Sequence, residues 1–123
     1  MTRFVTIVVL ALACLAPALW AHANLDKAEP KVGSTVTTAP TEVKIYFTDD
    51  PQVDKSEIQV FDAKDNQIDK KDTHADKSDH PNKSVLIVSL PALAPGTYKV
   101  KWHAVCPANH KTEGSFEFTV AAK

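Results

Sequence analysis

The feature that most constrains the fold is a strict alternation of apolar and polar residues in two stretches near the C-terminus. Successive side chains of a β-strand point to opposite faces, so a period of two indicates a strand that buries one face and exposes the other. The sequence therefore predicts two half-buried strands, over residues 97–104 and 115–120. Their predicted core-facing residues are Tyr98, Val100, Trp102, Ala104, Phe116, Phe118 and Val120.

Shorter strand-like runs fill much of the remaining chain. Val43–Phe47 and Val85–Val88 have strand composition, and a third run centres on Ile58 and Val60. Proline, glycine and asparagine residues separate these runs, and no helical period is present beyond residue 21. About six or seven short strands with frequent turns are typical of an all-β protein, and they favour an antiparallel β-sandwich.

The segment from Lys70 to Lys83 is polar and lacks an apolar anchor, so we predict a solvated loop there. A secondary, low-affinity metal loop is the alternative, because carboxylates and imidazoles can both act as ligands. The residues that would contribute to it are Asp72, His74, Asp76, Asp79 and His80.

The N-terminus differs in composition from the rest of the chain. An arginine precedes a largely apolar stretch over residues 4–21 that ends in a small residue, which is the pattern of a secretory signal peptide. The sequence thus predicts a signal peptide over residues 1–21 and an exported domain over residues 22–123. A retained membrane anchor is the alternative, but the stretch is only marginally long enough to span a bilayer and Pro17 interrupts it.

The position of the cut decides which residue begins the mature chain. Cleavage after Ala21 exposes His22, whereas cleavage after Ala23 follows the small-x-small rule and exposes Asn24. Lipoprotein processing at Cys14 is a third alternative, although the leucine expected three residues before the cysteine is absent.

Charge and cysteine content narrow the classes of partner and fold. Without residues 1–21 the chain has 102 residues, 13 lysines, no arginine and a net charge of −2. This balance gives no reason to expect nucleic acid or an anionic membrane surface as a partner. Cys106 then remains as a single cysteine, so no intrachain disulfide is expected and stability must come from an ordinary core.

Two histidines could take part in metal binding. An N-terminal His22 would offer its α-amine and its imidazole as two nitrogen ligands that close a small chelate ring, and such ligands suit Cu(II). The alternative is that His22 merely marks the edge of the signal peptide. His110 is predicted to lie in the loop between the two alternating strands, where solvent exposure is the commoner role of a histidine.

Three motifs extend over nearly the whole chain after residue 21. They read H-A-x-L-x-x-A-x-P-x-x-G-S at residues 22–34, A-P-x-x-V-x-I-x-F-T-D at 39–49 and L-A-P-G-T-Y-x-V-x-W at 93–102, and the last continues to His110 and G-S-F-x-F-x-V at 114–120. Together they resemble the CopC family of periplasmic copper-binding proteins. The resemblance implies a seven-stranded Greek-key β-sandwich in the periplasm, with copper as its ligand.

The resemblance also implies a set of ligands. Family members hold Cu(II) through the N-terminal amine, the first histidine and a histidine before the last strand, usually with an aspartate two residues ahead of that histidine. The matching histidines are His22 and His110, and the aspartate position is occupied by Ala108, whose side chain cannot ligate. Residues that could replace it are Asp49, which matches an acidic family position, Cys106, whose thiolate would favour Cu(I), His103 and Asn109.

Structural roles are the alternatives for two of these replacements. Cys106 could fill the end of a strand as a small apolar residue, and His103 lies on the polar face of its strand beside Lys99 and Lys101. The methionine-rich Cu(I) loop of some family members is not expected, since Met1 is the one methionine and belongs to the signal peptide.

The function implied by the resemblance is that of a binding protein and not an enzyme. We expect a monomer that binds Cu(2+) and acts in copper homeostasis, resistance or delivery, with an inner-membrane copper transporter of the CopD type as its partner. The alternatives are a metal-free Ig-like interaction domain, a cupredoxin-like electron carrier using Cys106 and His110, and an oxidative enzyme with an N-terminal histidine brace. The lack of a mature methionine argues against the carrier, and the short chain argues against the enzyme.

Overall fold

A computed structural model describes residues 25–76, 85–106 and 110–122 of the chain. These residues contain eight β-strands and one short 3-10 helix, Val53–Lys55. The strands are β1 (Leu25–Glu29), β2 (Thr35–Val36), β3 (Glu42–Phe47), β4 (Glu57–Phe61), β5 (His74–Asp76), β6 (Val85–Ser89), β7 (Gly96–Cys106) and β8 (His110–Val120). Within these residues no helix is long and apolar enough to cross a membrane. The predicted signal peptide lies outside the described residues.

The strands form two four-stranded sheets that pack face to face. One sheet has the order β1-β3-β6-β5 and the other has the order β2-β8-β7-β4. The described pairings are antiparallel except for the two-residue pairing of β2 with β8, which is parallel. The predicted all-β sandwich is thus confirmed, with a chain that crosses repeatedly between the two sheets.

The core lies between the sheets and follows the alternation of the sequence. All seven residues predicted to face the core from β7 and β8 are buried there. Val43, Ile45 and Phe47 of β3 and Leu86 and Val88 of β6 oppose them from the other sheet. Full burial of each such aliphatic or aromatic side chain contributes about 1.5–3 kcal/mol, so this layer supplies most of the hydrophobic stabilisation.

The prediction of a solvated loop from Lys70 to Lys83 is wrong for residues 74–76. Residues His74–Asp76 form β5, which pairs with β6 through the register His74↔Ile87 and Asp76↔Val85. The backbone amide of Ser89 also donates to Asp72 Oδ1 at 2.8 Å. The segment is therefore anchored by hydrogen bonds to a neighbouring strand, which needs no apolar side chain of its own. Residues 77–83 lie outside the described part of the chain.

The outer edge of β4 is covered by the segment that follows it. Val60 N donates to Asp69 Oδ1 at 2.8 Å, and Ile58 N donates to Thr73 Oγ1 at 3.1 Å. Asp69 is buried, with 6% of its surface exposed. Unpaired amides of an edge strand are a template for aggregation, so these two side chains protect β4 from pairing with another chain.

Candidate metal centre

Cys106 and His110 lie directly opposite each other at the tip of the β7–β8 hairpin. The register of this hairpin runs without a break from Gly96↔Val120 to Cys106↔His110. His110 is therefore the first residue of β8, and the prediction that it lies in a loop is wrong. The strand begins before the apolar alternation because the backbone of β8 already pairs with β7 from His110, ahead of Phe116. Opposed residues of an antiparallel pair have Cβ atoms about 4.5–5.5 Å apart.

Both residues belong to the core-facing side of their strands. An unbroken register preserves the alternation, so Cys106 shares a face with Trp102 and His110 shares a face with Phe116. Cys106 is buried, with 1% of its surface exposed, whereas His110 is exposed. Cys106 and His110 thus share one face at the tip of the hairpin, where the first is buried and the second is exposed.

The segment that follows β3 crosses to the same end of the molecule. Gln52 N donates to the carbonyl of Val105 at 2.7 Å, and Val105 N donates to Ser56 Oγ at 3.1 Å. The Ser56 hydroxyl in turn donates to the carbonyl of Gln52 at 2.7 Å. Asp49 precedes Gln52 by three residues and is exposed, so its carboxylate belongs to the segment held at this end.

The chain also enters β1 at this end. Leu25 pairs with Phe47, the last residue of β3, and the Phe47 ring contacts the Trp102 ring with centroids 5.2 Å apart. The structure therefore gathers the start of β1, the segment carrying Asp49, and the Cys106–His110 pair. His22 lies outside the described residues, three positions before Leu25.

His103 is separated from this end by the sheet itself. It is exposed on the outer face of β7, opposite Glu57 of β4 and Glu113 of β8. There it helps to line a shallow depression of about 390 Å³ together with Lys101 and Glu113. The structure does not bring His103 together with His110.

The described residues do not by themselves assemble a complete metal site. Among residues 25–76, 85–106 and 110–122, no group of three or more His, Cys, Asp and Glu side chains is placed to hold an ion. The remaining candidates, His22 and Asn109, lie outside those ranges, as does Ala108 at the family's aspartate position. Sequence reasoning missed Gln52 and Ser56, because polar residues in a loop give no signal of the backbone groups they will bind.

The fold and the gathered side chains define a small, single β-sandwich domain with candidate metal ligands at one end. The family assignment follows from comparison with known proteins. The chain belongs to the CopC domain family, whose model matches residues 25–121. This confirms the family resemblance drawn from the three motifs.

The alignments with similar proteins cover most of this chain. Protein YobA of Escherichia coli (strain K12) is 30% identical over 112 residues, which cover 91% of this chain and 89% of YobA. The crystal structure of CopC from Methylosinus trichosporium OB3b matches with a TM-score of 0.71 and 29% identity, over 81% of this chain and 94% of that chain. The copper transport protein CutJ of Bacillus subtilis (strain 168) is 27% identical over 119 residues, 96% of this chain but 21% of CutJ.

Proposed function

We propose that this chain is a non-catalytic copper-binding protein of the periplasm that holds one Cu(II) ion at the end of the sandwich described above. Membership of the CopC family and the similarity to a protein named for copper transport support copper as the ligand. The observation that carries the proposal is the convergence of the start of β1, the Asp49 segment and His110 at one end of the fold.

The proposed ligands come from three separate parts of the chain. His22 supplies its α-amine and imidazole when signal peptidase cuts after Ala21, and His110 supplies a second imidazole. Three extended residues span at most about 11 Å, so the tether from Leu25 keeps His22 within reach of this end of the sandwich. Asp49 supplies a carboxylate in place of the family aspartate, which is Ala108 here.

The chemistry of this ligand set fits Cu(II). Imidazole and amine nitrogens suit Cu(II), which also heads the affinity order of the divalent first-row metals. The backbone of β8 positions His110, so little ordering is needed there when the ion binds. His103 has no part in the site, since it faces the other side of the sheet.

Placement at the exposed end of a monomer suits exchange of copper with another protein. We propose an inner-membrane transporter of the CopD type as the recipient or donor, with copper homeostasis, resistance or delivery as the outcome. A ligand set at the tip of the domain can contact such a partner without any opening of the core.

Intact mass spectrometry of the secreted protein, with and without added Cu(II), tests the proposal. We expect a chain that begins at His22 and gains one copper ion. His110→Ala should lose the ion, whereas His103→Ala, a matched exposed histidine on the other face, should keep it. A chain that begins at Asn24, or one that takes up no Cu(II), contradicts the proposal and supports a metal-free interaction domain.

A further inference from the structure

We propose that Cys106 and His110 form a second binding mode, selective for Cu(I), that competes with the proposed Cu(II) site for the imidazole of His110. The competition rests on the proposed function, whereas the Cu(I) mode itself rests on the two opposed side chains alone.

The geometry of the pair suits a single ion held between two ligands. A thiolate and an imidazole on opposite sides of one ion are about 4 Å apart, if bonds of about 2.3 Å to sulfur and 2.0 Å to nitrogen are taken from zinc sites. The Cβ atoms of directly opposed residues are about 4.5–5.5 Å apart. Cys106 and His110 are directly opposed and share a face, so their side chains can meet around one ion without movement of the backbone.

The burial of Cys106 favours a monovalent, soft ion. Cu(I) binds as the thiol loses its proton to solvent, the thiolate donates an electron pair, and no electron is transferred. Thiolate, Cu(I) and a neutral imidazole together carry no net charge, and a neutral complex avoids the cost of a charge buried at a position 1% exposed. Thiolate ligands select Cu(I), whereas amine and imidazole nitrogens suit Cu(II).

The protein holds the sulfur side of the pair in place before any ion arrives. Val105, the neighbour of Cys106, is fixed through its carbonyl to Gln52 N and through its amide to Ser56 Oγ. Ser56 is itself buried, with 8% of its surface exposed. A ligand held by packed and hydrogen-bonded neighbours needs little further ordering on binding.

The shared imidazole makes the two oxidation states mutually exclusive. A neutral imidazole has one nitrogen with a free lone pair, so His110 can serve one ion at a time. A chain loaded with Cu(I) should therefore exclude Cu(II), and total copper should stay at one ion per chain. The oxidation state of the supplied copper then decides whether the ion lies at the Cys106 side or at the N-terminal side of His110.

Anaerobic titration of the mature protein with Cu(I), in competition with a chromophoric Cu(I) chelator, tests the pair. We expect Cys106→Ser and Cys106→Ala to lower the Cu(I) affinity at least tenfold and to leave Cu(II) binding unchanged. The thiolate-to-copper absorption in the ultraviolet should vanish in both variants. Near-ultraviolet circular dichroism of each variant verifies that the fold is retained, and His103→Ala serves as the unaffected control.

Two further variants separate this proposal from the Cu(II) site. A Gly-Ser extension before His22 blocks the α-amine and should abolish Cu(II) binding while Cu(I) binding persists. His110→Ala should weaken binding of both ions. Unchanged Cu(I) affinity in folded Cys106→Ser and Cys106→Ala overturns the proposal, as does simultaneous binding of one Cu(I) and one Cu(II) by the wild-type chain. A wild-type chain that binds Cu(I) but no Cu(II) would contradict the proposed function and would still support the Cu(I) pair.

Discussion

Phe47 and Trp102 meet edge to face across the two sheets, with ring centroids 5.2 Å apart and ring planes at 78°. Phe47 ends β3 and pairs with Leu25 at the start of β1, whereas Trp102 lies on the strand that ends in Cys106. Aromatic pairs of this geometry contribute about 0.5–1.5 kcal/mol beyond their burial. The contact thus joins the two sheets at the end of the sandwich where the candidate ligands gather.

Phe47→Ala should destabilise the domain by about 3–5 kcal/mol, because it leaves a cavity beside Trp102 and removes buried apolar surface. Urea denaturation followed by the fluorescence of Trp102 measures the change. Val32→Ala is the control, since Val32 is 56% exposed and its truncation should change stability by less than about 0.5 kcal/mol. A loss below about 1 kcal/mol for Phe47→Ala would show that the contact is not part of the stabilising core.

Asp69→Ala should cost about 1–3 kcal/mol, because the buried backbone amide of Val60 loses its hydrogen-bond acceptor. The carboxylate of Asp69 accepts bonds from Val60 N at 2.8 Å and Lys71 N at 3.0 Å, and truncation leaves both amides without this acceptor. The free energy of unfolding in urea is the measurement. Asp54→Ala, on the exposed 3-10 turn, removes a similar carboxylate and should be nearly neutral; equal losses in the two variants would contradict the role of Asp69.

Asp72 predicts a pH dependence of stability. Hydrogen bonds from the side chain and then the backbone amide of Ser89 hold the pKa of Asp72 below its ordinary value of 3.8. A carboxyl whose pKa is lower in the folded state stabilises the fold above the unfolded value and loses that contribution as pH falls through the folded value. Above about pH 3.8 the free energy of unfolding should therefore be larger for the wild type than for Asp72→Asn. The difference between the two proteins should shrink at lower pH.

Chemical denaturation at several pH values compares the two proteins. The difference should be small, since Asp72 is exposed and solvent screens its interactions. Asp54→Asn, which removes the same charge without a bond to Ser89, is the matched control. A difference between wild type and Asp72→Asn that grows on acidification would refute the assignment.

Ala108→Asp should strengthen Cu(II) binding by at least about tenfold, or about 1.4 kcal/mol. The substitution restores an anionic ligand at the position where CopC-family proteins usually carry one, two residues before His110. Competition with a Cu(II) chelator measures the affinity. Asn109→Asp is the matched control, because it adds the same charge one residue away; an equal gain from both variants would point to a general charge effect and not to ligation.

Copper(II) should leave the proposed site as pH falls toward about 5. Its nitrogen ligands must be deprotonated to bind, and the reference pKa values are about 7.7–8.0 for an α-amine and about 6.5 for an imidazole. Equilibrium dialysis against Cu(II) at a series of pH values follows the release. A site built only from carboxylates, with reference pKa values near 4, would retain the ion at pH 5 and would argue against the amine and imidazoles.

The fold could be predicted from the sequence wherever apolar residues alternate with polar ones or form a short continuous run. The predicted core face of β7 and β8 and the strand nature of β3, β4 and β6 are confirmed. The strand β1 was not predicted, because only Ala28 of its five residues is buried and no period of two is visible. The edge strand β5 was also missed, since its pairing with β6 depends on backbone groups that all residues share.

The candidate site was predictable only in part. The motifs identified His110 and Asp49 as candidates, and the structure places both at one end of the sandwich. The sequence placed His103 on the polar face of its strand but left open whether Cys106 is a ligand or a small apolar residue at the end of that strand. Whether a residue of β7 can join the candidate site depends on which face of the sheet the ligands from the other sheet approach. That is a long-range property of the fold.

The parallel pairing of β2 with β8 determines how the second sheet is completed. The final strand is not at an edge: β8 lies between β7 and β2, and Val36 pairs with Val120 only two residues from the end of the described chain. Because β8 is the partner of β2, this sheet is complete only when strands near the two ends of the described chain have come together. Completion of the sheet is therefore a non-local step, in which the entropy of closing a long loop must be lost before the pairing stabilises the fold.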